Sequence, residues 1–155
     1  MATMVADLSV PPEGAMLDSC VLVAATDKNR RSHRDALTVL EMWPARGTRL
    51  YLSGQIMREY LVLATRPEAV NGLGLSLADA LDNLSAFRDR TMLLSESGKV
   101  ADRLLRLVRE VACGGKAVHD ANVIATVLVH GVGAVVTANL ADFLHYERYV
   151  SLLGL

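Results

Sequence analysis

Met16-Leu17-Asp18-Ser19-Cys20-Val21-Leu22-Val23-Ala24-Ala25 is the stretch on which the fold turns. Met16-Leu17 and the run Val21 to Ala25 bracket the short segment Asp18-Ser19-Cys20, and neither flank shows the polar alternation of a half-exposed strand. Apolar residues on both sides of such a break suit a buried parallel strand that turns into a first helix. Asp18 then stands where the strand ends, at the edge of the sheet.

Working outward, a helix is expected from Ser32, a plausible N-cap, with Ala36, Leu37, Leu40 and Met42 facing inward until Pro44 and Gly47 stop it. A short strand follows at Arg49 to Leu52. Ser53 caps a helix in which Ile56, Tyr60, Leu63 and Ala64 recur at helical spacing, ended by Arg66-Pro67. The next helix starts near Ser76 with Leu77, Leu81, Leu84 and Phe87 as its stripe, and Met92-Leu93-Leu94 reads as a strand. Gly98 to Ala112 is helical, with Leu104, Leu105, Val108 and Val111 inside, Arg103, Arg106 and Arg109 outside, and Gly114-Gly115 closing it. Asp120 opens a helix through Val129, Gly131 turns the chain, and Ala134 to Val136 forms a strand ending at Thr137. Strands alternating with helices predict an α/β fold whose mainly parallel sheet is covered on both faces.

Upstream, Pro11-Pro12 continues neither a helix nor a central strand, so residues 1–14 are expected as a flexible lead-in and 15–155 as a single domain. A chain of 155 residues with 52% hydrophobic and 21% charged side chains can bury a core and is not a solvating segment. Aromatics are only 5%, which leaves the core to Leu, Val, Ala and Met. The formal net charge of -1 exerts no whole-molecule pull on nucleic acid, so any phosphate-binding surface is local. Cys20 and Cys113 have neither the number nor the spacing of a disulfide framework or a zinc site. With no signal-like start and no apolar run long enough for a bilayer, a cytoplasmic protein without a membrane partner is expected.

In open parallel sheets a ligand sits beyond the carboxyl ends of the strands. Acids recur at those places: Asp18 after the first strand, Glu59 early in the helix after the second, Asp120 at the start of its helix, and Asn139 with Asp142 after the last strand. Convergent carboxylates cannot all stay ionised and unpaired, because each would be desolvated without a counter-charge. A divalent cation resolves this, and oxygen-only ligands favour Mg²⁺ or Mn²⁺, the ions of metal-assisted phosphodiester hydrolysis. The plainer alternative makes Asp120 an N-cap and Glu59 a solvated helix residue beside Arg58.

Leu17-Asp18-Ser19, then Ser53-Gly54-Gln55 with Arg58-Glu59-Tyr60, then Val118-His119-Asp120-Ala121, and finally Thr137-Ala138-Asn139-Leu140-Ala141-Asp142-Phe143 resemble the four motif blocks of PIN domains. The nearest likeness is to the VapC-type toxin ribonucleases of bacterial toxin-antitoxin systems, and it runs in order from Met16 to about Tyr146. The resemblance implies a PIN-like, three-layer α/β/α sandwich. It also implies a Mg²⁺-dependent endoribonuclease, usually a homodimer, that acts as the toxin component of a type II system and is inhibited by a cognate antitoxin. On it, Asp18, Glu59 and Asp120 match the core acids, and Ser19 and Thr137 match supporting hydroxyls. Asn139 stands where many family members have an acid, so Asp142 is taken to complete the metal site with Asn139 in support. Apolar surface on the helices 54–65 and 76–87 is the expected dimer contact.

Lys28, Arg30, Arg31 and Arg34, with His33 among them, form the densest basic cluster. It either grips an RNA backbone beside the acids or is a solvated charge run. Lys116 and His119 flank Asp120 and are candidates for a phosphate contact, with helix capping the alternative for His119. A phosphatase with an Asp nucleophile wants a second acid two residues after Asp18, where Cys20 stands. A catalytically silent PIN-like module that binds RNA or protein is the competing reading.

Overall fold

The apolar run around Asp18 becomes strand β1 (Gly14–Leu17) followed by helix α1 (Ser19–Thr26). A computed structural model of the chain describes residues 8–155. Ala15, Met16 and Leu17 expose no surface, the two-sided burial that a continuously apolar parallel strand requires. β1 pairs with β2 (Arg49–Ser53) on one side and β4 (Ala134–Thr137) on the other, which sets Met16 beside both Tyr51 and Val135. β3 (Met92–Leu94) adds to β2 and β5 (Ser151–Gly154) adds to β4. The order is β3-β2-β1-β4-β5, and every pairing is parallel.

Parallel neighbours need crossover connections, and right-handed crossovers sort the helices by the direction in which the chain travels. Along the outward path, α1 packs on α2 (His33–Leu37) and α4 (Gly54–Thr65), and α4 packs on α5 (Leu77–Asp89). The path back brings α6 (Gly98–Val111) against α7 (Ala117–His130), and α7 against α8 (Leu140–Phe143). Both α1 and α7 touch β4. The result is the expected three-layer α/β/α sandwich, with α7 buried at Ala121 and from Val123 to Val127 against the sheet.

Several local expectations are corrected. Residues 8–14 do not hang free: the Trp43 indole donates to the Leu8 carbonyl (3.0 Å), Thr48 Oγ1 to Pro12 O (2.7 Å) and the Arg49 N–H to Glu13 O (2.9 Å), while Gly14 already belongs to β1. The rest of the expected lead-in, residues 1–7, lies outside the described residues. The helix expected from Ser32 is α2, a π-helical turn (Thr38–Met42) and α3 (Trp43–Ala45) in succession, and Ser32 makes no side-chain cap bond. Its inner stripe is Ala36, Val39, Leu40 and Trp43, and Met42 is 48% exposed. Pro44 lies within α3, one residue before the helix ends at Ala45, and Gly47 turns the chain there at φ +94°, as expected.

On α5 the inner face is Ala80, Leu84 and Phe87, with Leu77 and Leu81 turned outward. On α6 it is Val100 and Leu107, and Leu105 is 59% exposed. Leu104, Leu105, Leu107 and Val108 spread over about 160° of the helix circumference at ~100° per residue, wider than the side that is buried, so packing on α7 decides which part of the arc turns inward. Arg103, expected outside, lies over the Tyr149 ring at 5.6 Å and pairs with Glu110 at 3.3 Å. α6 ends at Ala112, with φ +55°, ahead of the glycine pair expected to close it. α7 begins at Ala117 rather than at Asp120, and Gly131 ends it at φ +68°. β5 had no sequence signal: four residues, Leu152 and Leu153 only half-buried, with no alternation to mark them. Among the described residues no helix is long and apolar enough to cross a membrane.

Candidate active site at the carboxyl edge of the sheet

Strand order reverses between β1 and β4, and the crevice beyond the carboxyl ends of those two strands is where a parallel sheet receives a ligand. Asp18 leaves β1 there. Its N–H bonds Val136 O (3.0 Å), its Oδ1 accepts from the Ser19 N–H (2.8 Å) as N-cap of α1, and its Oδ2 accepts from Thr137 Oγ1 (2.8 Å). The side chain is held between the ends of the two central strands and is 7% exposed. Thr137 Oγ1 in turn accepts from the Asn139 N–H (3.0 Å). Cys20 completes this cluster, its Sγ 3.0 Å from Asp18 Oδ2 and accepting from the Ala138 N–H at 3.0 Å. Burial, then the Asp18 charge, push its thiol up to about 12, which keeps it protonated and unreactive.

Glu59 comes from the second turn of α4. Ser19 Oγ donates to its Oε2 (3.0 Å), and Gln55 Nε2, one helical turn earlier, donates to its Oε1 (2.8 Å). Asp120 sits in the first turn of α7, whose N-cap position is Lys116, so Asp120 is not the cap. Burial raises its pKa from 3.8 to about 6, followed by the charges of Asp18, Asp142 and Glu59, with His119 opposing. Asp18, Glu59, Asp120 and Asp142 thus share one electrostatic field across the sheet edge. Asp142 lies exposed in the first turn of α8, and the nearby Arg148 donates to the Tyr149 hydroxyl (2.7 Å). Asn139 occupies the N-cap position of α8 without a side-chain cap bond.

Among the described residues no three His, Cys, Asp or Glu side chains stand close enough to grip one ion between them. The donors are nonetheless oxygen only, and they raise the pKa of one of their own number, so their charge is under-compensated. That is the chemistry of a hard divalent ion which keeps most of its water and takes one or two carboxylates directly.

Lys116 and His119 are exposed beside Asp120. The Lys28–Arg34 cluster is not there. α1 runs eight residues, about 12 Å, away from Asp18 before the cluster begins. At that far end Arg30 pairs with Asp27 (3.4 Å), and His33 Nδ1 contacts Ala24 O (2.8 Å). The placement of Arg30, Arg31 and Arg34 beside the acids is therefore corrected. Three polar residues at the edge were given no role from sequence: Gln55, quoted only within a motif block, Asn122 and Glu96. A signal existed for two of them, since Gln55 is one turn before Glu59 and Asn122 is the polar interruption of an apolar helix.

No protein-family model matches the sequence, and no curated protein matches it. Solved structures do. A VapBC complex of Rickettsia felis, bound to a DNA fragment from its promoter, superposes with a TM-score of 0.65 at 17% identity, over 91% of this chain and 98% of that one. A toxin-antitoxin complex from Klebsiella pneumoniae gives 0.59 at 23% identity, over 84% and 90%. A sarcin-ricin loop cleaving VapC toxin from Mycobacterium tuberculosis gives 0.57 at 14%, over 78% and 86%. This chain has a PIN-like α/β/α fold, shared with these toxin-antitoxin structures. At such identities the likeness is one of backbone, and the acids and hydroxyls at the edge of this PIN-like sheet are argued from their own contacts.

Proposed function

We propose that this PIN-like domain is a Mg²⁺-dependent endoribonuclease, the toxin component of a type II toxin-antitoxin system. The observation that carries the reading is the convergence of the acids on the crevice of a parallel sheet, where Thr137 bonds Asp18, Ser19 bonds Glu59, and Gln55 links Glu59 to the His119 carbonyl beside Asp120, whose carboxyl pKa is raised by burial and the neighbouring acids. Of Asp18, Glu59, Asp120 and Asp142, one or two would take Mg²⁺ or Mn²⁺ directly and the others through its retained water. When bound, the ion supplies an activated water and neutralises charge building on the scissile phosphate. Thr137 and Ser19 orient Asp18 and Glu59 through the hydrogen bonds described, and Asn139 braces Thr137. Lys116 and His119, exposed beside Asp120, would contact the RNA backbone on that side.

The test is cleavage of RNA by purified protein with Mg²⁺, in excess chelator, and with Asp120→Asn. Loss of cleavage in the last two conditions supports the reading, and equal cleavage in all three refutes it. Neutral Asn139 favours a second reading, a silent RNA- or protein-binding module, and retention of labelled RNA without cleavage in any divalent ion would select it. A cognate antitoxin is the proposed partner, on the likeness to the Klebsiella pneumoniae toxin-antitoxin complex. If no small protein encoded beside this gene binds the chain or relieves growth inhibition on co-expression, the toxin assignment falls and the nuclease stands. Val62, Leu77 and Leu81, between 45% and 64% exposed on α4 and α5, are the surface proposed for a homodimer. A monomeric mass at micromolar concentration refutes that part.

A further inference from the structure

Gln55, Asn122 and Glu96 come from three separate elements, the first turn of α4, the middle of α7 and the loop between β3 and α6. Asn122 Nδ2 donates to Glu96 Oε1 (2.8 Å) and to Gln55 Oε1 (2.7 Å). Gln55 Nε2 donates to Glu59 Oε1 (2.8 Å) and to the His119 carbonyl (2.9 Å). Both N–H groups of each side-chain amide are used. Glu96 Oε2 also accepts the Gln55 backbone N–H (2.9 Å), one of the open donors at the positive end of α4. A Cβ at residue 54 would lie 3.1 Å from that same oxygen, so glycine there leaves room for the carboxylate to approach.

The direction of this chain of bonds is set at one end. A carboxylate only accepts, so Asn122 turns its NH₂ toward Glu96, Gln55 must then offer its carbonyl to Asn122, and its own NH₂ is left facing Glu59. With the amide reversed, a carbonyl oxygen would face the Glu59 carboxylate. We infer that Glu96, Asn122 and Gln55 are positioning residues whose relay presets the Glu59 carboxylate for a divalent ion, an assignment that rests on the metal-site reading above. Ser19 pins one Glu59 oxygen and the relay pins the other, and the His119 bond ties the same amide to the turn that carries Asp120. Partners of this kind typically govern metal affinity by tenfold or more when removed.

The experiment is calorimetric titration of MnCl₂ into the metal-free full chain, without RNA, for the wild type, Glu96→Gln, Asn122→Ala and Asp120→Asn, with Tm measured in chelator. Glu96→Gln keeps the shape of a solvent-exposed side chain but removes one acceptor and the charge at the start of α4, so it is expected to lower Tm slightly and to weaken Mn²⁺ binding about tenfold, more than the Tm change accounts for. Asn122→Ala is expected to weaken it at least as much, beyond any loss in Tm. Wild-type affinity in Glu96→Gln, or losses in both variants that only follow Tm, would overturn the relay while the metal site stood. Absence of Mn²⁺ binding by the wild type would overturn the metal-site reading itself, and the relay with it.

Discussion

Replacing Asp120 by Asn should stabilise the metal-free protein at neutral and alkaline pH. In the folded chain the Asp120 carboxyl is lifted from 3.8 to about 6, by burial first and then by Asp18, Asp142 and Glu59. A raised acid disfavours the charged form in the fold. Between those two values the folded chain holds a proton that the unfolded chain has released, so stability falls as pH rises through the window and the loss is complete above it. At ~1.4 kcal/mol per unit, the shift corresponds to about 3 kcal/mol before screening. Asp120 is partly open to solvent, which lowers this to roughly 1–2 kcal/mol. Asn cannot ionise and escapes the loss. The variant and wild type should therefore agree near pH 4, and the variant should melt about 2–8 °C higher near pH 8 for a chain of this length. Thermal unfolding in chelator across that range reads the difference. Adding Mg²⁺ near pH 8 should raise the wild type and leave the variant unmoved. A variant less stable than wild type near pH 8, or an offset independent of pH, would refute the electrostatic account of the site.

Three further outcomes are expected. Leu107→Ala should cost about 2–5 kcal/mol and Leu105→Ala less than about 0.5, by denaturant unfolding, because Leu107 is fully buried on α6 and Leu105 faces water; equal costs would reject the assigned helix face. Ala112→Gly should raise stability by up to about 1 kcal/mol, since Ala112 closes α6 at φ +55°, a conformation that L-residues resist and glycine adopts freely; a lower melting temperature would speak against that backbone. Asp142→Asn should weaken metal-dependent RNA cleavage more than Asn139→Ala, because Asp142 adds charge to the field on Asp120 while Asn139 reaches Thr137 through its backbone N–H, which Ala keeps; the opposite order would centre the site on Asn139.

The apolar flanks of Asp18 were enough to place a buried strand and its helix, because two-sided burial leaves no room for polar alternation. Short apolar runs also marked β3 and β4, although of these only β4 is buried throughout and β3 is an edge strand with Met92 and Leu93 exposed, and the position of Asp18 at a strand's carboxyl end followed from chain direction alone. β5 escaped because an edge strand needs little burial and carries little pattern. Met42, Leu77, Leu81 and Leu105 were misassigned for one reason. Where apolar residues cover much of a helix, which side is buried depends on the neighbour it meets.

Charge shows the same division. That Lys28 to Arg34 is basic is a property of the chain, but its distance from the acids was decided by α1, which carries it to the far end of the sandwich. Asp18, Glu59, Asp120 and Asp142 could be named as acids near strand ends. Their mutual field, and the lift it gives Asp120, exists only once right-handed crossovers bring four chain segments to one edge. Gln55, Asn122 and Glu96 lay furthest from view. An uncharged amide is worth little in a sequence until folding fixes which of its two ends faces a carboxylate, and here that choice depends on Glu96, 41 residues from Gln55 along the chain.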